Sequence, residues 1–362
     1  VSHGSKRENV ASVIGIWLFL PLFAALPIFM SGSVSTPIDA YFESISGLTT
    51  TGATVINSLE DKTHALLLWR SITQLLGGIA TVVFVVVHFA HLGIGGMQLY
   101  PSSMLHGEQD SLLSRFKDTG LAVLSIYSLF ALLCFILLVI TGISPFDAIT
   151  HAFSTISTGG FSTRDASVGG FSNIYAEVVI IVFMILGAFN VSVFWLVIRR
   201  QELKLAGQDP EIGKFLGIVI TSSLILALAL ILLANITPFT ALYEGIFAVV
   251  SSITTTGYYS GQGIDWPIFV PMFLLVLMFV GGCTGSTSGG LKTMRLLVLF
   301  RLARREMFRL AQPNGVEGIK YGKVLVDNDS IKAIWAFFVV VALTFGILTV
   351  CFSLAGLDLK TS

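Results

Sequence analysis

The sequence predicts an all-α integral membrane protein of pseudo-repeated helix–loop–helix units set around a central cavity, and three observations carry that prediction. Of 362 residues, 54% are hydrophobic and only 12% charged, with a mean hydropathy of +0.86, against roughly 25% charged for an ordinary soluble domain. Apolar runs at Val10–Met30, Ala65–Leu92, Leu121–Ile140, Ala176–Ile198, Phe215–Ala234, Ile268–Gly282 and Ile331–Leu354 reach or approach the ~20 residues that a spanning helix needs. Between these runs a Thr-Gly stretch recurs three times.

The first run follows Lys6 and Arg7 without a small-residue cleavage site, so it reads as a spanning helix rather than a signal peptide. Pro37 then opens a short amphipathic half-helix, "DAYFESIS", which leads into "TTGAT" at Thr50–Thr54 and the second run. The pattern returns as Pro145, "DAITHAFS" and "STGGFS" at Ser157–Ser162, and again as Pro238, "YEGIFAVVSS" and "TTGYYS" at Thr255–Ser260. Gly52, Gly159 and Gly257 each follow a Ser/Thr pair, 107 and then 98 residues apart. The chain therefore divides into repeats at 9–117, 118–213 and 214–330, with 331–362 as the first helix of a fourth.

Irregular backbone at membrane depth is tolerated only where protein buries it or where it lines a watery cavity. A break recurring at the same place in each unit thus implies one shared cavity. Glycine admits the positive φ angles that turn successive carbonyls the same way, and small hydroxylated neighbours leave those carbonyls accessible and add ligands of their own. Carbonyls from several copies about one axis would replace the hydration shell of a monovalent cation. The half-helices would aim their partly negative C-terminal ends at the same axis. The candidate ion ligands are Thr50, Thr51, Gly52 and Ala53; Ser157, Thr158, Gly159 and Gly160; and Thr255, Thr256, Gly257 and Tyr258.

The formal net charge of zero conceals an asymmetry. Arg115/Lys117, Arg199/Arg200/Lys204/Lys214 and Arg301/Arg304/Arg305/Arg309/Lys320/Lys323 fall on one side of the predicted helices, and only Lys62, Arg164 and Lys360 on the other. The positive-inside rule puts the first set in the cytoplasm. Asp39, Glu43, Glu60, Asp61, Asp147, Glu244 and Asp265 then face outward as an acidic vestibule that concentrates cations. Cys134, Cys283 and Cys351 have neither metal-ligand nor disulfide spacing and read as reduced packing residues.

These motifs resemble the Trk/Ktr/HKT superfamily of potassium transporters, most closely its bacterial TrkH members, over nearly the whole chain. The resemblance implies four helix–pore-loop–helix repeats around a central ion pore, of which this sequence carries three complete filter segments and reads as a fragment ending at "GLDLKTS". It implies gated uptake of K+ (and Rb+) across the bacterial inner membrane by a multi-pass homodimer, each protomer with its own pore. In some plant members a serine replaces the first filter glycine and goes with sodium permeation; Gly52 is glycine, which favours potassium. "FVGGCTGSTSGGLKTMR" breaks the second helix of the third repeat, where each glycine costs about 1 kcal/mol relative to alanine. The resemblance makes Gly281, Gly282, Cys283, Thr284, Gly285, Ser286, Thr287, Ser288, Gly289 and Gly290 an intramembrane gate loop. No covalent cofactor or nucleic-acid partner is implied; the expected nucleotide sits on a cytosolic TrkA-type regulatory partner.

Other readings compete for the same residues. Gly285–Lys292 misses the phosphate-loop spacing by one residue and lacks a preceding strand. An intramembrane serine protease would need Ser286 or Ser288 to meet His88 or His91 as base, and it explains neither the repeats nor the acidic loops. A symporter coupled to H+ or Na+ is the closer alternative, but it would be expected to show inverted repeats and midplane carboxylates. No catalytic residue is assigned, and the chain is read as a non-enzyme. Arg70 needs a partner within the membrane, for which Asp61 is a candidate. His151 either tunes the vestibule or packs; Lys292 and Arg295 either line the inner cavity or snorkel. The basic segment Arg301–Lys323 suits anionic lipid or, by the resemblance, the regulatory partner.

Overall fold

The computed structural model describes residues 6–84, 112–201, 207, 209–260, 266–312, 318–321 and 324–356. His88, His91, Lys204, Asp265, Lys323 and Lys360 lie outside these residues, and at Arg115, Lys117, Arg199 and Arg200 only the helical backbone is described.

Each repeat starts with a long apolar helix and continues into a short one. In the first, α1 (Lys6–Met30) precedes α2 (Pro37–Leu48) and α3 (His64–Phe84). In the second, α4 (Leu112–Ile140) precedes α5 (Pro145–Ile156), α6 (Ile174–Gly187) and α7 (Val191–Arg200). In the third, α8 (Pro210–Ala234) precedes α9 (Pro238–Ile253), α10 (Phe269–Val280) and α11 (Thr293–Ala311). The antiparallel pair β1 (Lys320–Tyr321) and β2 (Val324–Leu325), in register Lys320↔Leu325, leads to α12 (Asn328–Leu354). Among the described residues five helices are long and apolar enough to cross a membrane, within α1, α3, α4, α8 and α12. The chain is a multi-pass, all-α membrane protein.

Two expected spans are not straight helices. The run Ala176–Ile198 bends by 93° between α6 and α7, where Asn190 Oδ1 accepts from Ser192 N at 2.8 Å and caps a new helix. The run Ile268–Gly282 yields only the twelve residues of α10 before Gly281 leaves the helix at a φ of 70°. In both, small or capping residues overrule hydropathy, which registers greasiness and not backbone continuity.

The half-helices α2, α5 and α9 pack against the long helix of their own repeat. They also pack onward, α3 against α5 and α6 against α9, so a closing helix of each repeat meets the half-helix of the next. Lipid offers no hydrophobic drive for such contacts, and close approach of small residues provides them instead. A Cβ on Gly77 of α3 would overlap the Leu48 carbonyl at the end of α2, and one on Gly187 of α6 would lie 2.8 Å from the Ile156 carbonyl at the end of α5. Ile126, Cys134, Leu138, Ile180, Met184, Phe215, Leu226 and Phe247 fill the main core. Leu18, Phe23, Leu132, Ile136, Leu228 and Leu232 stand exposed on the outward faces. Cys134 and Cys283 are buried, Cys351 exposed, and all three are free thiols.

A ring of Thr-Gly stretches above a glycine-rich loop

The half-helices share one way of starting. Thr36, Ser144 and Thr237 stand at the N-caps, each followed by proline at the first helical position, where the missing N–H costs nothing. Thr36 and Asp39 close a reciprocal capping box at 3.1 and 3.2 Å. Ser144 Oγ accepts from Asp147 N at 3.1 Å and donates to its carboxylate at 2.9 Å.

They also end alike, and the ends fix the register of the stretches. Thr50, Thr158 and Thr255 all adopt positive φ (54°, 51° and 55°), as do Gly52, Gly160 and Gly257 two residues later (78°, 81° and 82°). The amides match as well: Thr50, Thr158 and Thr255 donate to Gly47, Thr155 and Ser252, and Thr51, Gly159 and Thr256 to Ser46, Ser154 and Ser251. The equivalent segments are therefore Thr50–Ala53, Thr158–Phe161 and Thr255–Tyr258. In the second repeat the structural counterpart of Gly52 and Gly257 is Gly160 rather than Gly159, so that segment runs one residue later than Ser157–Gly160. "STGGF" offers two adjacent glycines, and only backbone geometry tells which one carries the turn. Ser157 is the helix C-cap. A β-branched residue at positive φ costs of order 1–3 kcal/mol, and the paired amide bonds hold each threonine there.

The three stretches are in backbone contact. A Cβ on Gly52 would overlap the carbonyl of Gly159, and one on Gly160 that of Thr256, whereas at Gly257 nothing lies within 4 Å. Gly52 and Gly160 thus lean on the same carbonyl position of the next copy, and Gly257 faces open space. Chemically the arrangement gathers polar backbone and threonine hydroxyls at one place inside an apolar helical shell.

Polar side chains brace this ring from behind. Gln74 of α3, fully buried, donates to Gly159 O at 2.7 Å while its Oε1 accepts from Phe161 N at 3.2 Å and from the Ser154 hydroxyl. Arg70, one turn earlier, pairs with Glu43 at 2.7 Å, with side-chain exposures of 1% and 0%. It also donates to Ser162 O at 3.2 Å and to Thr54 Oγ1 at 3.1 Å, and it stacks 4.1 Å over Phe161. Glu43, not Asp61, is therefore the partner of Arg70, and Glu43 leaves the acidic vestibule. His151 occupies the corresponding place in α5, packed between Phe171 and Tyr258 with Nε2 3.0 Å from Ser162 Oγ. Asp147 accepts from Thr163 Oγ1 at 2.6 Å and pairs with Arg164 at 3.2 Å; Glu244 likewise accepts from the Ser260 hydroxyl. Burial works against the Asp147 carboxylate, but the hydroxyls of Thr163 and Ser144 and the Arg164 charge outweigh it and hold its pKa below the ordinary value.

Beneath the ring, Gly281–Gly290 forms an irregular loop between α10 and α11. Gly281, Gly285 and Gly290 adopt positive φ. Gly282 N donates to Ser288 Oγ at 3.1 Å, and the Ser286 and Ser288 hydroxyls lie 2.8 Å apart. Cys283 N reaches Ala188 O at 2.9 Å, and Val191 N reaches Gly285 O at 3.3 Å, which seats the loop in the bend between α6 and α7. Two bonds reach the ring: Thr158 Oγ1 donates to Thr287 Oγ1 at 3.0 Å, and Gly289 N donates to Thr255 Oγ1 at 2.6 Å. Thr284 N donates to Glu211 of α8 at 2.9 Å. Lys292 turns back into the loop, Nζ donating to Ser286 O at 3.0 Å and Ser288 O at 2.5 Å, rather than snorkelling. Arg295 stacks 4.0 Å over Phe337 of α12. The loop serines are bonded within the loop, and the histidines of the protease reading lie outside the described residues.

Gln74 and Glu211 were not among the residues singled out from the sequence. Gln74 had a signal, since Arg70, Thr73 and Gln74 place three polar groups on one face of an apolar helix.

Known proteins share this architecture. The model of the TrkH family, described as cation transport protein, matches residues 6–357. The Trk system potassium uptake protein TrkH of Salmonella typhimurium is 39% identical over 357 residues, covering 98% of this chain and 74% of that relative. TrkI of Halomonas elongata is 35% identical over 96% of this chain and 70% of its own length. The crystal structure of the potassium transporter TrkH from Vibrio parahaemolyticus superposes with a TM-score of 0.89 at 34% identity, covering 99% of this chain and 74% of that one. With the fold and the sequence in agreement along its length, this chain belongs to the TrkH family of cation transport proteins.

Proposed function

We propose that this chain forms the pore of a potassium uptake protein of a bacterial inner membrane, with Thr50–Ala53, Thr158–Phe161 and Thr255–Tyr258 as walls of a selectivity filter and Gly281–Gly290 as its gate. The observation that carries the reading is the common register of the three stretches, with Gly52 and Gly160 each set against the next copy's carbonyl. Such a ring can replace the hydration of a monovalent cation. The hydrogen bonds from Thr158 and Gly289 link loop and ring, which supports a gate directly below the filter. The relatives named for potassium uptake support K+ as the ion. Assembly as a homodimer and docking of a cytosolic nucleotide-binding regulator belong to the same reading, and basic α11, with Arg304 and Arg309 exposed, is the surface offered to such a regulator or to anionic lipid.

The test is isotope flux of rubidium and sodium in liposomes holding the full-length protein. Rubidium-selective flux down its own gradient, with selectivity lost in Gly257→Ser, supports the reading. Selectivity indifferent to that substitution removes the filter, and flux that requires an imposed proton or sodium gradient replaces passive conduction with coupled symport.

A further inference from the structure

We infer that Glu211 is the residue that positions the glycine-rich loop, an assignment whose functional meaning rests on the gate reading above. Glu211 lies in the first turn of α8, the opening helix of the third repeat, whereas the loop interrupts the closing helix of that repeat. The residue is fully buried. A single oxygen, Oε1, accepts from Thr284 N at 2.9 Å, from Thr284 Oγ1 at 3.2 Å and from Met294 N at 2.9 Å. Thr284 stands near the start of the loop and Met294 in the first turn of α11, so one carboxylate ties the two sides of the loop together. The other oxygen, Oε2, is buried with no hydrogen-bond partner among the described residues, so the entire grip passes through Oε1.

Carbonyls of the loop are held from its other flank. The Lys292 ammonium collects Ser286 O and Ser288 O, while Glu211 collects the amides. Irregular backbone at membrane depth needs each polar group satisfied, and here two buried side chains do this from opposite flanks. The loop is thus shaped by two side chains set on its flanks rather than by regular secondary structure. Its far side touches Thr158 and Thr255, so loosening the Glu211 grip would act on the underside of the ring without altering the ring itself.

A native reporter makes this testable. Cys283 is fully buried within the loop, so in full-length protein with every other cysteine replaced by serine, its maleimide labelling rate reads how often the loop opens. Glu211→Gln preserves volume and an acceptor oxygen but replaces the carboxyl group with an amide, and should raise the labelling rate by about fivefold or more, the effect of a kcal/mol or so in a two-state equilibrium. Glu211→Ala should raise it further; if that variant fails to fold, Glu211→Gln decides alone. Unchanged labelling in a monodisperse Glu211→Gln protein overturns the assignment. Rubidium flux is measured in parallel: flux that rises with labelling, at an unchanged rubidium-to-sodium ratio, supports the gate as well. Increased labelling with unchanged flux upholds Glu211 as the positioning residue and removes the gate reading.

Discussion

Arg70 and Glu43 form an ion pair of 2.7 Å between α3 and α2, and neither side chain has more than 1% of its surface exposed. Breaking such a pair by removing one partner leaves a buried charge and costs about 3–5 kcal/mol. Arg70→Met and Glu43→Gln should each abolish a monodisperse peak on size-exclusion chromatography or lower the melting temperature sharply. The double replacement Arg70→Met with Glu43→Leu should recover part of the loss. Full additivity of the two single effects would mean that they do not act as a pair.

The three glycines of the ring should not respond alike to the same substitution. At Gly52 and Gly160 a side chain would overlap a neighbouring carbonyl, while at Gly257 the space is open and only the positive φ resists. Gly257→Ser should therefore give a folded protein with altered rubidium-to-sodium selectivity in a flux assay. Gly52→Ser and Gly160→Ser should instead lower stability, read as thermal aggregation, before selectivity can be measured.

Gln74 should be a determinant of selectivity although it lies behind the ring. Gln74→Leu would strip hydrogen bonds from Ser154, Gly159 and Phe161, each unsatisfied buried group costing about 1–3 kcal/mol. The expected result is a several-fold fall in the rubidium-to-sodium flux ratio, with Gln74→Glu recovering less than wild type because it cannot donate to Gly159 O. An unchanged ratio in a folded Gln74→Leu protein would reduce Gln74 to packing.

Acid should loosen the contacts of Asp147 with Thr163 and Arg164 in a defined direction. The Asp147 carboxyl titrates below its ordinary value, so its stabilising contribution is complete above the unfolded pKa of about 4 and is lost as pH falls through the lower folded value. The stability gap between wild type and Asp147→Asn, read by thermal melts, should be constant from neutrality down to about pH 5 and should close on further acidification. A gap that widens in acid would contradict the arrangement around Arg164 and Thr163.

Much of this was legible from residue order, because hydropathy and the threefold return of proline, half-helix and Thr-Gly are properties of local composition. The half-helix starts at Thr36 and Ser144 follow from capping chemistry within four residues. The register of the second stretch was not legible, since Gly159 and Gly160 are chemically identical and differ only in φ. The pairing of Arg70 with Glu43, rather than Asp61, depends on how α2 folds back on α3. Glu211 was hidden for the same reason: nothing near it in sequence announces a loop that begins some seventy residues later.

The bracing of the ring differs from wall to wall, with Glu43 behind the first stretch, and Gln74 and His151 behind the second. In an assembly of identical subunits a substitution is repeated in every wall at once, and an ion meets either the old set of ligands or the new. Here the walls are separate stretches of one polypeptide, so each can drift alone. In the filter proposed above, selection can adjust affinity in fractional doses, one wall at a time, while the remaining walls keep the ion centred.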